Sequence, residues 1–400
     1  MPARNPARSV TRRRLALTAA LALLAAPLLQ GPAQAENGVS ANSILFGQSA
    51  ALEGPAAALG TGMRLGIEAA FAEANAAGGV KGRTLELISK DDGYEPEASV
   101  ANTKTLIEED RVFALIGPVG TPTSKATQPI ATDAGVPYIG PFTGAGFLRA
   151  PELTNVVNLR NTYDAETAAW IHHLTEDLGF ERIAILYQDD SFGRVGLDGV
   201  TKALDAKGMS LAAEGTYQRN TVAVKSALLE IRKADPQAVV IVGAYKPAAE
   251  FIRLAKTLKM ESVFVNISFV GSKALAEELG EHGDGVVITQ VVPFPWNGEI
   301  PVVADYQAAL SAYAPDEEPG FVSLEGYLVG RLAVEALQRV EGQPTRKAFL
   351  DAIYNGGAFD FGGVTLTYGP GDNQGSDEVY LTVIEPDGTF KSVQSLSSGS

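Results

Sequence analysis

The sequence predicts an α/β protein built of two doubly wound, Rossmann-like lobes, and three observations predict it. Short apolar runs alternate with segments of helical periodicity, and turn-forming residues separate them. The alternation comes in two blocks of similar size, the pattern of helices laid on both faces of a mostly parallel sheet. No long low-complexity linker divides the blocks, so the lobes are expected to touch and to leave a ligand-sized cleft between them.

The first block opens with a strand at 44–47. Over 63–75, Met63, Ile67, Ala70, Phe71 and Ala74 share one helical face, and Gly78-Gly79 ends that helix. A strand is expected at 85–88. A helix follows at 96–109, with Pro96 in its first turn, where the missing N–H costs nothing. Residues 113–116 form a continuous apolar run, as in a strand covered on both faces. A helix at 124–135, despite Pro129, and a strand at 136–139 complete the block. The second block has a helix at 164–179, a strand at 183–187, a helix at 195–207, a strand at 211–217 and a helix at 224–234. Residues 238–242 (Ala-Val-Val-Ile-Val) are the most strand-like run. A helix at 247–259 and strands at 263–265 and 286–288 follow. Beyond Pro293 the pattern is mainly helical (302–313, 323–340, 345–354). The chain closes with strands at 364–368 and 379–390, where Glu385-Pro386-Asp387-Gly388 is a hairpin turn. Residues 396–400 are expected to be a disordered tail.

The N-terminus is set apart from this rhythm. Arg4, Arg8, Arg12, Arg13 and Arg14 precede an apolar run over 15–29, and Ala33-Gln34-Ala35 follows. A basic start, an apolar stretch shorter than the roughly 20 residues of a membrane span, and a small-residue exit predict a cleavable secretory signal over 1–35. Thr11-Arg12-Arg13-Arg14-Leu15 fits the twin-arginine route as well as the general one. The leader carries five arginines and no acids, so its loss takes the formal net charge from -15 to -20. So acidic a product is a poor partner for nucleic acid or anionic membrane. The chain has no cysteine, which excludes disulfides, thiolate ligands, a cysteine nucleophile and a lipidated cysteine at the cleavage site. A free periplasmic protein is expected.

Catalytic patterns are missing. There is no HExxH, no GxSxG and no phosphate loop ending in Gly-Lys-Ser/Thr. Gly144-Ala145-Gly146 lacks the third glycine of a dinucleotide fingerprint and follows the fourth strand, not the first. His172 and His173 are adjacent in an expected α-helix, where neighbours point about 100° apart, so sharing one metal is difficult. Asp91-Asp92 and Asp189-Asp190 end strands, where acids more often cap the next helix than hold a metal. No enzyme, no cofactor and no metal are expected.

Three loops after strands offer recognition chemistry instead. In 117–124 (Gly-Pro-Val-Gly-Thr-Pro-Thr-Ser), Thr121, Thr123 and Ser124 present hydroxyls at a helix start whose backbone N–H groups are free, a combination suited to a carboxylate. In Gly140-Pro141-Phe142-Thr143-Gly144-Ala145, glycine lets a ligand approach the backbone. In Gly243-Ala244-Tyr245-Lys246, Tyr245 offers an apolar wall with a polar tip.

The stretch 46–148 resembles type I periplasmic binding proteins of the branched-chain amino acid group, and the likeness continues over nearly the whole mature chain. It rests on Ala76-Ala77-Gly78-Gly79-Val80-Lys81-Gly82, on Leu115-Ile116-Gly117-Pro118, and on Gln128-Pro129-Ile130-Ala131 with Gly135-Val136-Pro137-Tyr138-Ile139. Further on, Arg182-Ile183-Ala184-Ile185-Leu186 with Ser191-Phe192-Gly193, and Gly326-Tyr327, fit as well. The resemblance implies two lobes joined by three crossovers, at 42–160 plus 291–375 and at 161–290 plus 376–395. It implies a carboxylate held by Thr121 and the Phe142-Thr143-Gly144 turn, and a wall near Leu59. Second-lobe contacts fall at Asp164, Phe192, Tyr245 and Ser268, with Tyr163 beside them and Tyr327 near the hinge.

Such binders commonly carry a glutamate where Ser268 stands, to pair with the ligand ammonium. Here no acid lies near Ser268 in sequence. Either Asp164 does the pairing or the solute is an acid without an amine, suited to Phe142, Tyr163, Phe192, Tyr245 and Leu59. The implied function is solute capture by lobe closure for the permease subunits of an ABC importer, by a monomer. A sensor module feeding a membrane signalling protein is the alternative. An exported hydrolase would need a nucleophile and base that the sequence does not offer.

Overall fold

The computed structural model describes residues 36–397, so the expected leader and the last three residues of the expected tail lie outside the described residues. The first lobe runs through β1 (Ser43–Ala50), α1 (Ala57–Ala76), β2 (Thr84–Asp91), α2 (Pro96–Glu108), β3 (Ala114–Ile116), α3 (Thr121–Asp133), β4 (Tyr138–Ile139) and β5 (Val156–Val157). Its strands are parallel, in the order β2-β1-β3-β4-β5. The second lobe runs through α4 (Tyr163–His172), β6 (Ile183–Gln188), α5 (Ser191–Asp205), β7 (Ala213–Tyr217), α6 (Lys225–Lys233), β8 (Ala238–Val242), α7 (Tyr245–Thr257), β9 (Val263–Asn266), α8 (Ser272–Leu279) and β10 (Val287–Gln290). The chain then returns for α9 (Pro301–Tyr313), α10 (Phe321–Arg339), α11 (Arg346–Asn355) and the short pair β11 (Phe359–Asp360) and β12 (Thr365–Leu366). It ends with β13 (Tyr380–Ile384) and β14 (Phe390–Val393), which pair antiparallel at the edge of the second sheet, of order β14-β13-β10-β9-β8-β6-β7.

Both sheets are wound alike. The winding direction reverses beside β1 in one lobe and beside β6 in the other, and ligands of open α/β sheets bind outside the strand ends at such reversals. Every residue of β3, β4, β6 and β8 is buried, because helices cover both faces. Helices α1 and α10 approach so closely that a Cβ on Gly66 would lie 1.9 Å from the Ser323 carbonyl oxygen, and one on Gly326 would lie 2.3 Å from that of Met63. Only glycine fits there.

The chain crosses between the sheets after β5, after β10 and after β12. The first and third crossings are laced together: Asn158 N–H donates to the Asn373 carbonyl (2.8 Å), and Gly375 N–H to that of Asn158 (2.9 Å). The second carries Phe294 and Trp296, which pack with Phe321 at the start of α10. Trp296 also stacks on Phe390 of β14, with ring centroids 5.4 Å apart. Aromatic contacts thus join the two lobes beside this crossing.

Two local expectations need correction. The helix expected over 164–179 ends as α-helix at His172 and continues as a π-helical turn, His173–Asp177. The wider turn removes the 3.6-residue geometry that would keep the adjacent histidines apart, and their rings meet edge to face at 5.3 Å. Order also reaches into the expected tail: Leu396 is buried against the core, and its N–H donates to Asp177 Oδ2 at 2.8 Å.

Candidate functional site

The ends of the central strands of both lobes converge on one buried cluster. On the first-lobe side, β3 leads through 117–120 into α3, whose N-cap Gly120 makes no side-chain cap. The leading N–H groups are therefore open to an anion. Thr121 Oγ1 and Thr143 Oγ1, brought together because the loops after β3 and β4 run side by side, share a 2.6 Å hydrogen bond. Thr123 turns back, donating to the Gly120 carbonyl at 3.0 Å. Arg149 braces the second loop by donating to the carbonyls of Thr143 (3.1 Å) and Ala145 (3.0 Å). Gly144 carries Tyr163 against it: the Tyr163 N–H donates to its carbonyl at 2.8 Å. A Cβ at Gly144 would fall 2.7 Å from that nitrogen. The Tyr163 and Ser124 hydroxyls are buried without a hydrogen-bond partner. Burial pushes the Tyr163 phenol up to about 12, with Arg160 pulling against it.

Aromatic rings fill the space between the lobes. Phe269, in a short 3₁₀ turn after β9, lies 4.6 Å from Phe192, 5.4 Å from Phe142 and 5.8 Å from Tyr94, and Tyr163 lies 5.5 Å from Phe192. All five rings are sealed from solvent. Tyr94 and Phe142 come from the first lobe; Tyr163, Phe192 and Phe269 come from the second.

Beneath the rings lies a buried polar chain. Arg160, on the first crossing, donates to both carboxylate oxygens of Glu325 on α10 (2.8 and 2.6 Å) and to Ser268 Oγ (2.9 Å). Its guanidinium carbon stands 4.2 Å from the Phe142 ring centroid. Ser268 in turn donates from Oγ (2.8 Å) and N–H (2.9 Å) to Glu166 of α4, which also accepts from Thr289 Oγ1 (2.5 Å). Burial raises the Glu166 carboxyl above its ordinary value, against the opposing pull of Arg160, Thr289 and Ser268. Burial alone would lower the Arg160 guanidinium; the charge and hydrogen bonds of Glu325 outweigh it and raise it.

To one side, Leu59 packs on Gly271, where an added Cβ would lie 2.6 Å from its Cδ2. The Ala58 N–H points to Tyr245 Oη at 3.4 Å. An inter-lobe groove of about 320 Å³ opens here, lined by Ala58, Thr61, Leu65, Gly271, Lys273 and Phe321 among others.

Of the residues singled out from sequence, Thr121, Phe142, Thr143, Gly144, Tyr163, Phe192 and Ser268 therefore meet in the cluster, and Leu59 and Tyr245 meet beside it. Two do not. Asp164 is exposed and pairs with Lys202 at 2.8 Å; one residue on from Tyr163, it sits on the other face of α4. Tyr327 is buried within the first lobe, where its hydroxyl donates to Glu73 (2.8 Å) and accepts from Arg331 (2.7 Å). Sequence reasoning missed Tyr94, Arg160, Glu166, Phe269 and Glu325. The spacing of Glu166 from Tyr163, three residues along one helix, was the available signal for Glu166. The acid absent from the sequence around Ser268 is supplied across the fold by Glu166.

A family model described as periplasmic binding protein matches residues 43–389. The chain is 25% identical over 343 residues to a Leu/Ile/Val-binding protein homolog of Brucella suis, covering 80% of this chain and 82% of that one. A solved structure of a possible leucine/isoleucine/valine-binding protein from Rhodopirellula baltica is 38% identical, with a TM-score of 0.84 over 90% of this chain and 98% of that one. A fatty acid ABC transporter substrate-binding protein from Thermomonospora curvata shares the fold, with a TM-score of 0.81 and 20% identity over 92% and 95% of the two chains.

Proposed function

The chain belongs to the periplasmic binding protein family, substrate-binding proteins of ABC transporters rather than enzymes, and from that premise we propose that its cargo is a small carboxylic acid with an apolar or aromatic body and no amino group. The lobes close over it, and the closed form hands it to the transporter's permease subunits. The Thr121–Thr143 hydroxyl pair and the uncapped start of α3 would receive the carboxylate, and the rings of Phe142, Phe192, Tyr163, Phe269 and Tyr94, in contact with one another here, would part around the body.

The observation that carries this reading is the commitment of the carboxylates around the cluster. Glu325 is taken bidentately by Arg160. Glu166 is held by Ser268 and Thr289. Asp190 is held by the Phe192 N–H (2.9 Å), Gln188 (2.7 Å) and Arg219 (2.9 Å). A ligand ammonium would find each of these carboxylates already engaged and would compete with its present partners, and an ammonium left unpaired there would cost several kcal/mol. Closure follows from differential contact: a ligand touching both lobes favours the state in which both can touch it.

Calorimetric titration with matched pairs tests the reading: leucine against 4-methylpentanoate, and phenylalanine against 3-phenylpropanoate. Binding is expected from the acids alone, and Thr121→Val should weaken it about ten- to a hundredfold, the worth of a hydrogen bond to a charged group. Tight binding of the amino acids instead would sink the amine-free assignment and give Glu166 the ammonium.

A further inference from the structure

We propose that His172, His173 and Asp177 form a binding site for a divalent cation of the zinc class, at the end of α4 and separate from the inter-lobe cluster. Each offers one ligand atom, and these atoms all lie within 4.8 Å of one another. His173 Nδ1 and Asp177 Oδ2 are 2.7 Å apart. Tetrahedral zinc with bonds of about 2.0–2.2 Å needs ligand atoms roughly 3.3 Å apart. The closest pair must therefore open by about 0.6 Å, and no pair need draw in by more than about 1.5 Å. The His172 ring is exposed, so it is the side chain with room to turn toward the other two.

The convergence has a structural cause. In a continuous α-helix, residues 172 and 177 would point about 140° apart. The π-helical turn His173–Asp177 closes its rings between residues five apart, which brings 172 and 177 onto one face. Such single π turns recur at functional positions. The carboxylate is also steadied from outside the helix, because the Leu396 N–H donates to Asp177 Oδ2. Groups that hold a ligand's orientation typically govern affinity. Two imidazoles and one carboxylate suit zinc, nickel or copper, not magnesium or calcium, which prefer all-oxygen sites. Two of the chain's three histidines are used here. The cation would tie the end of α4 to the C-terminal segment.

The test is calorimetric titration of zinc chloride into the purified, tag-free protein. One ion per chain is expected, and His172→Ala or His173→Ala should each weaken binding about tenfold or more. Zinc should raise the melting temperature of the wild type but not of the double variant, and magnesium should raise neither. His282→Ala should bind as the wild type does. Wild-type binding no tighter than that of the double variant, or an equal response to magnesium, would overturn the site. Circular dichroism spectra matching the wild type keep the variants interpretable.

Discussion

Replacing Glu325 by glutamine should be among the most damaging single changes in this protein. The Arg160–Glu325 pair is bidentate, with side chains only 1% and 3% exposed. The amide keeps one acceptor and turns an NH2 group toward the guanidinium, leaving a buried cation without its counter-charge. Breaking such a pair on one side costs about 3–5 kcal/mol. With an unfolding entropy near 2.1 cal/mol/K per residue, a chain of this size has roughly 0.8 kcal/mol/K in all, so the melting temperature should fall by about 4–6 °C. Urea unfolding followed by circular dichroism at neutral pH gives the free energy directly. The companion Arg160→Met/Glu325→Leu removes both charges and should recover most of the loss, because a matched apolar pair avoids the desolvation that the ions carry. A loss under about 1 kcal/mol for Glu325→Gln, or a double variant as unstable as the single one, would refute the reasoning.

Three further outcomes follow from the same geometry. Glu166→Gln should flatten the acid side of the stability profile. Burial holds this carboxyl above its ordinary value of 4.5, so its contribution is complete below that value and is lost as pH rises through the folded one; urea midpoints from pH 5 to 8 that superimpose on the wild type would count against this. Phe269→Ala should cost about 3–5 kcal/mol in urea unfolding, since the ring is fully buried among three others, and a cost near zero would show that the rings do not hold the lobes together. Gly144→Ala should destabilise by about 1–3 kcal/mol through its contact with Tyr163. Gly146→Ala, with nothing within 4 Å of the added carbon, should stay within about 0.5 kcal/mol; equal melting temperatures for the two would contradict the packing argument.

The alternation of strands and helices was legible because each element carries its own periodicity, and the hydroxyl corner was legible because Thr121 and Thr143 lie in loops that follow adjacent parallel strands. What stayed hidden depends on partners far apart in the chain. Arg160 and Glu325 are separated by 165 residues, and Glu166 and Ser268 by 102. No local pattern joins them. Helical phase separates the two acids of α4: Glu166, three residues from Tyr163, shares its buried face, and Asp164, one residue away, turns to solvent. Phe269 was passed over because an aromatic residue in a loop has the same local sequence whether it packs at random or fills a cleft. For the histidine pair, α-helical spacing predicts side chains about 100° apart, whereas the backbone takes a π turn from His173 and the two rings meet.

The stack of Trp296 on Phe390 has a practical consequence. The chain has two tryptophans. Trp170 is sealed at 1% exposure, with its indole N–H on Thr289, whereas Trp296 is 38% exposed and rests on a ring from the other lobe's sheet. Any parting of the lobes beside that crossing changes the solvent and the quenching around Trp296 while leaving Trp170 in the same surroundings. The protein therefore carries an optical gauge of its own conformation, readable as a shift in emission during a titration, with no label attached.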